Sequence, residues 1–433
     1  MYDYAHIGNY RAYICSDILK RYLNYKGFKV KHIMNITDVD DKTIKGANKA
    51  GISLQEYTKK YENAFFEDIE ALNIYKADKY AKATDHIEDM IVIIKKLLEK
   101  KIAYKSDEGS IYFDISKFKG YGKLSHTKIK DLKEGARVQQ DTYEKEEAKD
   151  FALWKAYTEE DGNVFWDTKI GKGRPGWHLE CSAMSMKHLG QHFDIHAGGV
   201  DLIFPHHENE IAQSEAYTSK KFVNYWCHNE HLLVDGHKMS KSMGNFYTLR
   251  DLLGKGYNPK AIRYLLLSAH YRQQVNFTEE ALKAAENGVQ RLRDFILKLN
   301  EIKSNAENKS VQKLIQKTKK QFEESMDDDL NISAALSSIF DFVKQINTLV
   351  MEEKVGKKNA QDILKTMMEF DKILGILEEK KEKLNPEIKI LIDERETARK
   401  EKNFEKADKI REELKQKGII LEDTKDGVRW KKI

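Results

Sequence analysis

The chain changes character near Lys241. Before it, glycine-punctuated strand patterns alternate with helix patterns; beyond it, apolar residues recur at helical spacing only. That asymmetry predicts an α/β sheet domain followed by a helical bundle. In the first part Ala12, Cys15, Ile18, Leu19, Tyr22 and Leu23 share one helix face, and Gly27 suits its C-terminal end. "FKVKHIMNITD" then reads as a buried strand, and the order points to a parallel sheet. "DHIEDMIVIIKKLLEKK" reads as a helix and "GSIYFDI" as a strand, while the turn-rich residues 105–175 read as an insertion. The sheet pattern resumes in "FDIHAGGVDLIFPHHENEIAQSEA", expected as strand, glycine turn, strand and helix. After Lys241, helices are expected over 260–300, 309–350, 358–381 and 387–417, and "GIILEDTKDGVRWKKI" reads as a hairpin around "KDG".

Composition mostly excludes. With 75 Lys and Arg against 70 Asp and Glu, the net charge of +5 is too small to argue for nucleic acid by itself. Three cysteines are too few for a disulfide framework, so a reducing cytoplasm is expected. No stretch reaches the roughly 20 apolar residues of a membrane span, and no basic-then-apolar signal opens the chain.

Two stretches suit phosphate. His6-Ile7-Gly8-Asn9 falls at the expected start of the first helix, where backbone N–H groups and the helix dipole favour an anion. Gly8 lets a base lie against the backbone, and His6 and Asn9 can donate to phosphate oxygens. Taken alone, these residues serve equally well as an ordinary helix cap. In Lys238-Met239-Ser240-Lys241-Ser242, two lysines flank hydroxyl residues inside a Gly-bounded loop. Such a loop can hold a triphosphate and neutralise charge that builds at the α-phosphate.

Cys181, His206 and Glu210 make a mixed S, N and O set suited to Zn²⁺. Pro205 is expected to start a helix, which puts His206 and Glu210 four apart on one face. Spacing alone fits a buried cysteine beside a solvated helix start equally well, and it does not choose between His206 and His207.

The ordered stretches "HIGNYRAYI", "NITDVDDKTIK", "GRPGWHLECSAMS", "FDIHAGGVDLIFPHHENEIAQSEA", "KMSKSMGNF", "RYLLLSAHYR" and "MDDDLN" resemble class I aminoacyl-tRNA synthetases, and within them the cysteinyl-tRNA synthetase family. "FEKADKIREELKQKGIILEDTKDGVRW" is similar to that family's terminal module. Two departures stand out: the first motif ends in Asn9 rather than His, and Asn229-Glu230 stands where Asn-Gly is common.

The resemblance implies a Rossmann-like α/β catalytic domain in two halves, 1–85 and 171–220, with an inserted connective region at 86–170. It further implies a loop and stem-contact region at 221–280, an α-helical bundle at 281–381 and a small C-terminal α/β anticodon module at 382–433. It assigns catalysis to His6, Asn9, Lys238 and Lys241, and adds Gly8, Gly198, Gly199 and Asp201 for ATP. Thr37, Trp177 and His196 match contacts to substrate cysteine. Cys181, His206 and Glu210 match ligands of one Zn²⁺ per chain.

A fourth ligand is implied too: a cysteine in a Cys-Gly-Pro stretch ahead of the first motif. The sequence begins beyond that point, and Cys15 and Cys227 read as core residues rather than substitutes. A start set too far downstream, or a fragment, is expected ahead of a degraded paralogue, because every other motif is intact. Zinc is expected to bind more weakly here than where the fourth ligand is present.

Cysteine and serine are nearly isosteric, so shape separates them poorly. A soft cation that takes sulfur as thiolate separates them well. The implied partners are ATP with Mg²⁺, L-cysteine and tRNA(Cys), and a cytoplasmic monomer is expected. Arg429, Trp430 and Lys431 suit stacking on an unpaired base. The alternatives are a catalytically impaired tRNA-binding paralogue and a cysteine-activating ligase with a small-amine acceptor.

Overall fold

The computed structural model describes residues 2–126, 137–138, 150–240, 243–377, 386–401, 403–424 and 427–432. Two compact units make up the chain, Met1–Leu377 and Glu378–Ile433.

In the first unit, α1 (Ile7–Tyr25) starts from His6, which is extended. The His6 Nδ1 accepts the Asn9 N–H (3.3 Å), and the Asn9 Oδ1 accepts the His6 N–H (3.1 Å). This reciprocal box satisfies two backbone donors at the helix start. β1 (Ile33–Ile36), α2 (Asp41–Ala50) and α3 (Leu54–Ala71) follow, and β2 (Lys79–Lys82) pairs parallel to β1. The buried strand expected over "FKVKHIMNITD" shrinks to four residues, of which only Ile36 is buried. The reason is pairing on one side only: the sheet has two strands, and Ile33, Met34 and Asn35 border a cavity.

α4 (Ile87–Glu99) leads into the insertion. Its strands are β3 (Ala103–Lys105), β4 (Ile111–Phe113), β5 (Arg137–Val138), β6 (Asp150–Ala156) and β7 (Gly173–Pro175). They form a separate sheet in the order β3-β4-β6-β5, with β7 beside β6 and only β5–β6 parallel. α5 (Trp177–Leu189) then returns to the parallel part, where β8 (Phe193–Gly199), α6 (Glu208–Thr218) and β9 (Val223–Asn229) follow. β8 pairs parallel with β9. A parallel sheet is the expectation for this part; among the described residues it takes the form of two separate two-stranded parallel sheets, β1–β2 and β8–β9.

The expected glycine turn and second strand also differ. β8 runs through Gly198 and Gly199, and residues 200–207 wind as short helical turns. These turns fold back on the strand so closely that a Cβ at Gly198 would lie 2.8 Å from the His207 ring. Pro205 therefore sits inside a turn, and α6 begins at Glu208.

The stretch beyond Lys241 is not wholly helical. β10 (Leu232–Val234), β11 (His237–Lys238) and β12 (Val275–Phe277) form a small sheet, and α7 (Leu249–Gly254) and α8 (Pro259–Leu267) precede β12. Val275-Asn276-Phe277 alternates buried, exposed, buried, and that three-residue signal was hidden among helical periods. α9 (Glu279–Asn300), α10 (Lys309–Asp327), α11 (Ile332–Met351) and α12 (Lys357–Leu374) complete the unit. The expected 309–350 helix breaks where Asp329 and Leu330 take left-handed backbone (φ 51° and 58°) before Asn331 caps α11.

Ile7, Tyr10 and Ile14 of α1 share one core with Leu266, Leu292, Phe322 and Phe370. Two buried polar networks tie α1 down further. Arg11 donates to the carbonyls of Glu230 (3.1 Å) and Leu266 (2.9 Å). Asp17 pairs with Arg21 (2.7 Å) and with Arg263 of α8 (2.6 Å).

The second unit holds α13 (Pro386–Lys400), α14 (Phe404–Gln416) and the antiparallel hairpin β13 (Ile419–Thr424)–β14 (Gly427–Lys432). The single helical stretch expected over 387–417 divides at Asn403, which caps α14. Ile392, Ile410, Leu414, Ile419 and Leu421 form this unit's core. Among the described residues, no helix is long and apolar enough to cross a membrane.

Candidate active site

A cavity of about 1040 Å³ is bordered by α1, β1, α5, β8 and β11. It gathers the residues singled out from the sequence. His6, Gly8, Asn9 and Lys238 line it, as do Gly198, Gly199 and Asp201, then Thr37, Trp177 and His196, and finally Cys181, His206 and Glu210. Lys241 lies outside the described residues.

At one end the first motif meets the lysine loop. The Ile7 N–H donates to the Tyr247 carbonyl (3.0 Å), and His6 forms a bridge to Thr248. The His6 ring packs edge-on against Phe246 with centroids 5.3 Å apart. A Cβ on Gly8 would come within 3.2 Å of the Met239 methyl group. Asn245 braces the loop: its Oδ1 accepts the Ser240 N–H (2.8 Å) and its Nδ2 donates to the Lys238 carbonyl (3.2 Å). Lys238 itself is exposed. Asn245, Phe246 and Tyr247 carry no assignment from the sequence, although "MGNFY" directly follows the lysine motif.

His6 and Asn9 are used as the cap that the local pattern allowed. A neutral His6 whose Nδ1 accepts carries its proton on Nε2. Gly198 and Gly199, read as room for nucleotide, also make room for protein. The first accommodates His207; at the second, a Cβ would sit 2.3 Å from the Asp201 Oδ1. Thr37 follows β1, and its Oγ1 accepts from the Asn35 amide (3.3 Å).

The other end centres on Glu210, which is fully buried. The His206 Nε2 lies 3.1 Å from one carboxylate oxygen and the His196 Nε2 3.0 Å from the other. The donor atoms of Cys181, His206 and Glu210 all lie within 4.8 Å of one another. Trp177 stacks on the His206 ring with centroids 4.2 Å apart, so it orients a donor as well as lining the cavity. Three further imidazoles join the cluster: His207, which spacing left as the alternative to His206, and His178 and His228, which the sequence did not single out. The His178 Nδ1 lies 3.0 Å from the His206 Nδ1, and the His207 Nδ1 lies 2.8 Å from the His228 Nε2. Their only signal was histidine beside each motif, in "GWHLEC", "PHHENE" and "WCHN".

Burial pushes the Glu210 carboxyl upward, but His196 and His206 outweigh it and hold the group well below the ordinary range. Burial lowers His178 and His207 strongly, and takes His228 to about 4. Burial, with Glu210 and Glu180 adding to it, raises the Cys181 thiol. The cluster thus sets an anionic carboxylate beside three imidazoles, His178, His207 and His228, that burial biases toward the neutral form, and with the His206 nitrogen and the Cys181 sulfur it makes a donor set that fits a cation.

Residues 1–287 match the family described as tRNA synthetases class I (C) catalytic domain, so fold and cavity together are those of a class I aminoacyl-tRNA synthetase. Residues 321–378 match the DALR domain and 381–430 the cysteinyl-tRNA ligase anticodon binding domain. A cysteine–tRNA ligase of Brachyspira hyodysenteriae is 53% identical over 443 residues, covering 100% of this chain and 93% of the relative. One of Chlamydia muridarum is 50% identical over 444 residues, covering 100% and 94%. The chain belongs to the cysteine–tRNA ligase family, enzymes that charge tRNA with cysteine. Mycobacterium tuberculosis methionyl-tRNA synthetase in complex with methionyl-adenylate shares the fold at a TM-score of 0.61 and 14% identity, over 87% of each chain.

Proposed function

We propose that the chain joins L-cysteine to tRNA(Cys) in two steps. In the first, the cysteine carboxylate attacks the α-phosphorus of Mg·ATP, the bond to the β-phosphate oxygen breaks, and pyrophosphate leaves. In the second, a ribose hydroxyl of the tRNA's terminal adenosine attacks the acyl carbon and AMP leaves. One observation carries the reading: the anion-favouring start of α1, the lysine loop and the Cys181–His206–Glu210 donors border one cavity.

The residues divide the work. The N-terminus of α1 faces the phosphates with its dipole, and the His6 Nε2–H and the Asn9 amide donate to their oxygens. Lys238 and Lys241 neutralise the charge of the leaving pyrophosphate. Gly8 keeps the backbone open to the adenosine, and Asp201, beside Gly198 and Gly199, takes a hydroxyl or the substrate amino group. Thr37, Trp177 and His196 enclose the cysteine. No general base is required, since positioning and charge neutralisation suffice for an attacking carboxylate.

Cys181, His206 and Glu210 would hold zinc. His206 is pre-aimed because its Nδ1 is engaged by His178, which fixes the ring for a ligand on Nε2. Zinc bound there supplies a soft Lewis acid that prefers a thiolate to a serine hydroxyl. We assign tRNA binding to the helices after Thr278, and anticodon contact to residues 386–432. Arg429, Trp430 and Lys431 lie on β14, with side chains outside the described part. The enzyme acts as a cytoplasmic monomer on this reading.

The test is cysteine-dependent ATP–pyrophosphate exchange together with charging of a tRNA(Cys) transcript. The reading requires both. Exchange without charging would give the activity to a small-amine acceptor, and tRNA binding without exchange would make the chain a non-catalytic binder.

A further inference from the structure

We propose that Glu230 reads the nucleobase: its carboxylate accepts from the exocyclic amino group of adenine and makes the cavity selective for ATP over purine triphosphates that lack a donor there. The proposal rests on the nucleotide reading above and goes beyond it by assigning a side chain to the base. Glu230 stands where glycine is common in the resemblance. A glycine has nothing that could touch a base edge, so the carboxylate is an addition of this chain.

Three observations carry it. The first is position. Gly199 pairs with Asn229 in the parallel β8–β9 ladder, so Glu230 is the first residue beyond the carboxyl end of β9. Parallel sheets place their ligands outside that end. Glu230 borders the cavity together with Gly8, Gly199 and Asp201, which frame the adenosine on this reading. The second is rigidity, supplied through main-chain groups. The Glu230 N–H donates to the Tyr271 carbonyl (2.8 Å), and the Glu230 carbonyl accepts from the Arg11 Nε (3.1 Å) and the Asn229 amide (3.2 Å). Arg11 lies on α1 three residues after Gly8, so the helix that faces the phosphates also fixes residue 230. The third is a spare acceptor. Glu230 is half-buried; its Oε2 accepts the His231 N–H (3.2 Å), and its Oε1 has no hydrogen-bond partner among the described residues.

The surroundings suit a purine. Ala12, Leu232 and Met239 border the same cavity and are apolar neighbours for a flat ring. Among them an ionised carboxylate is an acceptor only. Adenine has an amino group at position 6, which donates. Guanine has a carbonyl oxygen there, which a carboxylate repels, and a purine with hydrogen at position 6 makes neither contact. The other use for a carboxylate here is as a counter-charge. Arg11 is fully buried; burial disfavours its charge, and Cys15 and Glu230 favour it. A counter-charge acts on stability and does not tell one purine from another.

The experiment compares ATP, GTP and purine riboside triphosphate, which carries hydrogen at position 6, with the zinc-loaded full chain. Each is measured by equilibrium dialysis and by cysteine-dependent pyrophosphate exchange. The parent should bind ATP about 10- to 100-fold more tightly than the position-6 hydrogen analogue, and GTP more weakly still. The difference should fall on KM, with kcat little changed. Glu230→Ala should weaken ATP to the level of the analogue and leave the analogue as it was. Glu230→Gln keeps an accepting oxygen and adds a donor, so it should retain part of the preference over the analogue while accepting GTP more readily; it also keeps the side-chain volume if the alanine variant folds poorly. A parent that does not separate ATP from the analogue overturns the proposal. So does an alanine variant that weakens both nucleotides equally or keeps the parent's ratio, and that result leaves the activating function intact. Base discrimination in dialysis without any exchange would refute the activation and leave the role of Glu230 standing, whereas a chain that binds none of the three nucleotides overturns both.

Discussion

The two ends of the cavity are built on opposite plans. Around Glu210 the imidazole and carboxylate groups are held by other side chains: His206 by His178 and Trp177, His207 by His228, and Glu210 by His196 and His206. Around Lys238 the partners are backbone groups, with Asn245 gripping two of them, and the lysine itself stands in solvent. A group that must tell sulfur from oxygen works from a preset position, because selectivity depends on geometry that exists before substrate arrives. A group that must accept ATP and release pyrophosphate gains nothing from being walled in. The difference separates selection from charge neutralisation, and it predicts that mutations at the lysine end leave bound metal untouched.

Glu210→Gln should break the buried end most severely. It removes the carboxylate of the Cys181–His206–Glu210 donor set, so bound metal should fall to background and cysteine-dependent exchange by roughly three orders of magnitude. Lys238→Ala should do the reverse: kcat for exchange falls by about 10²-fold while bound zinc, measured by mass spectrometry, stays as in the parent. If both variants lose metal, the two ends are not separate. His178→Phe sharpens the first case. It keeps the ring volume but removes the contact to the His206 Nδ1, and zinc affinity in a chelator competition should drop about 10- to 100-fold. The smallest effect falls at Asn9, where cap and phosphate donor coincide. Asn9→Ala should lower stability by about 1 kcal/mol in denaturant unfolding. Asn9→Asp keeps the accepting oxygen and should restore that stability without restoring exchange.

The sequence made the phosphate end legible because its signals are local. A histidine and an asparagine three apart at a helix start can be read off as a cap, and a lysine loop announces itself in five residues. The metal end was legible only in part. Cys181, His206 and Glu210 have the right chemistry, but nothing in their spacing shows that α5, β8 and α6 fold together around Glu210. His178 and His228 escaped because their contacts join residues far apart in the chain, and the choice between His206 and His207 stayed open because it depends on the winding of 200–207. The same limit explains the fold errors. The strand at 28–38 was judged from its own apolar residues, whereas its burial depends on neighbours. β12 was too short to interrupt a helical period, and two left-handed residues at 329–330 ended a helix that composition alone would continue.

The central claim is that the buried donor cluster chooses the amino acid while the exposed loop serves the nucleotide. Its most direct test compares cysteine and serine in ATP–pyrophosphate exchange, with the chain zinc-loaded and after stripping by a strong chelator. The account predicts rapid exchange with cysteine, exchange with serine lower by orders of magnitude, and loss of the cysteine rate on stripping that added zinc restores. Equal exchange with the two amino acids, or a cysteine rate indifferent to the metal, would contradict it.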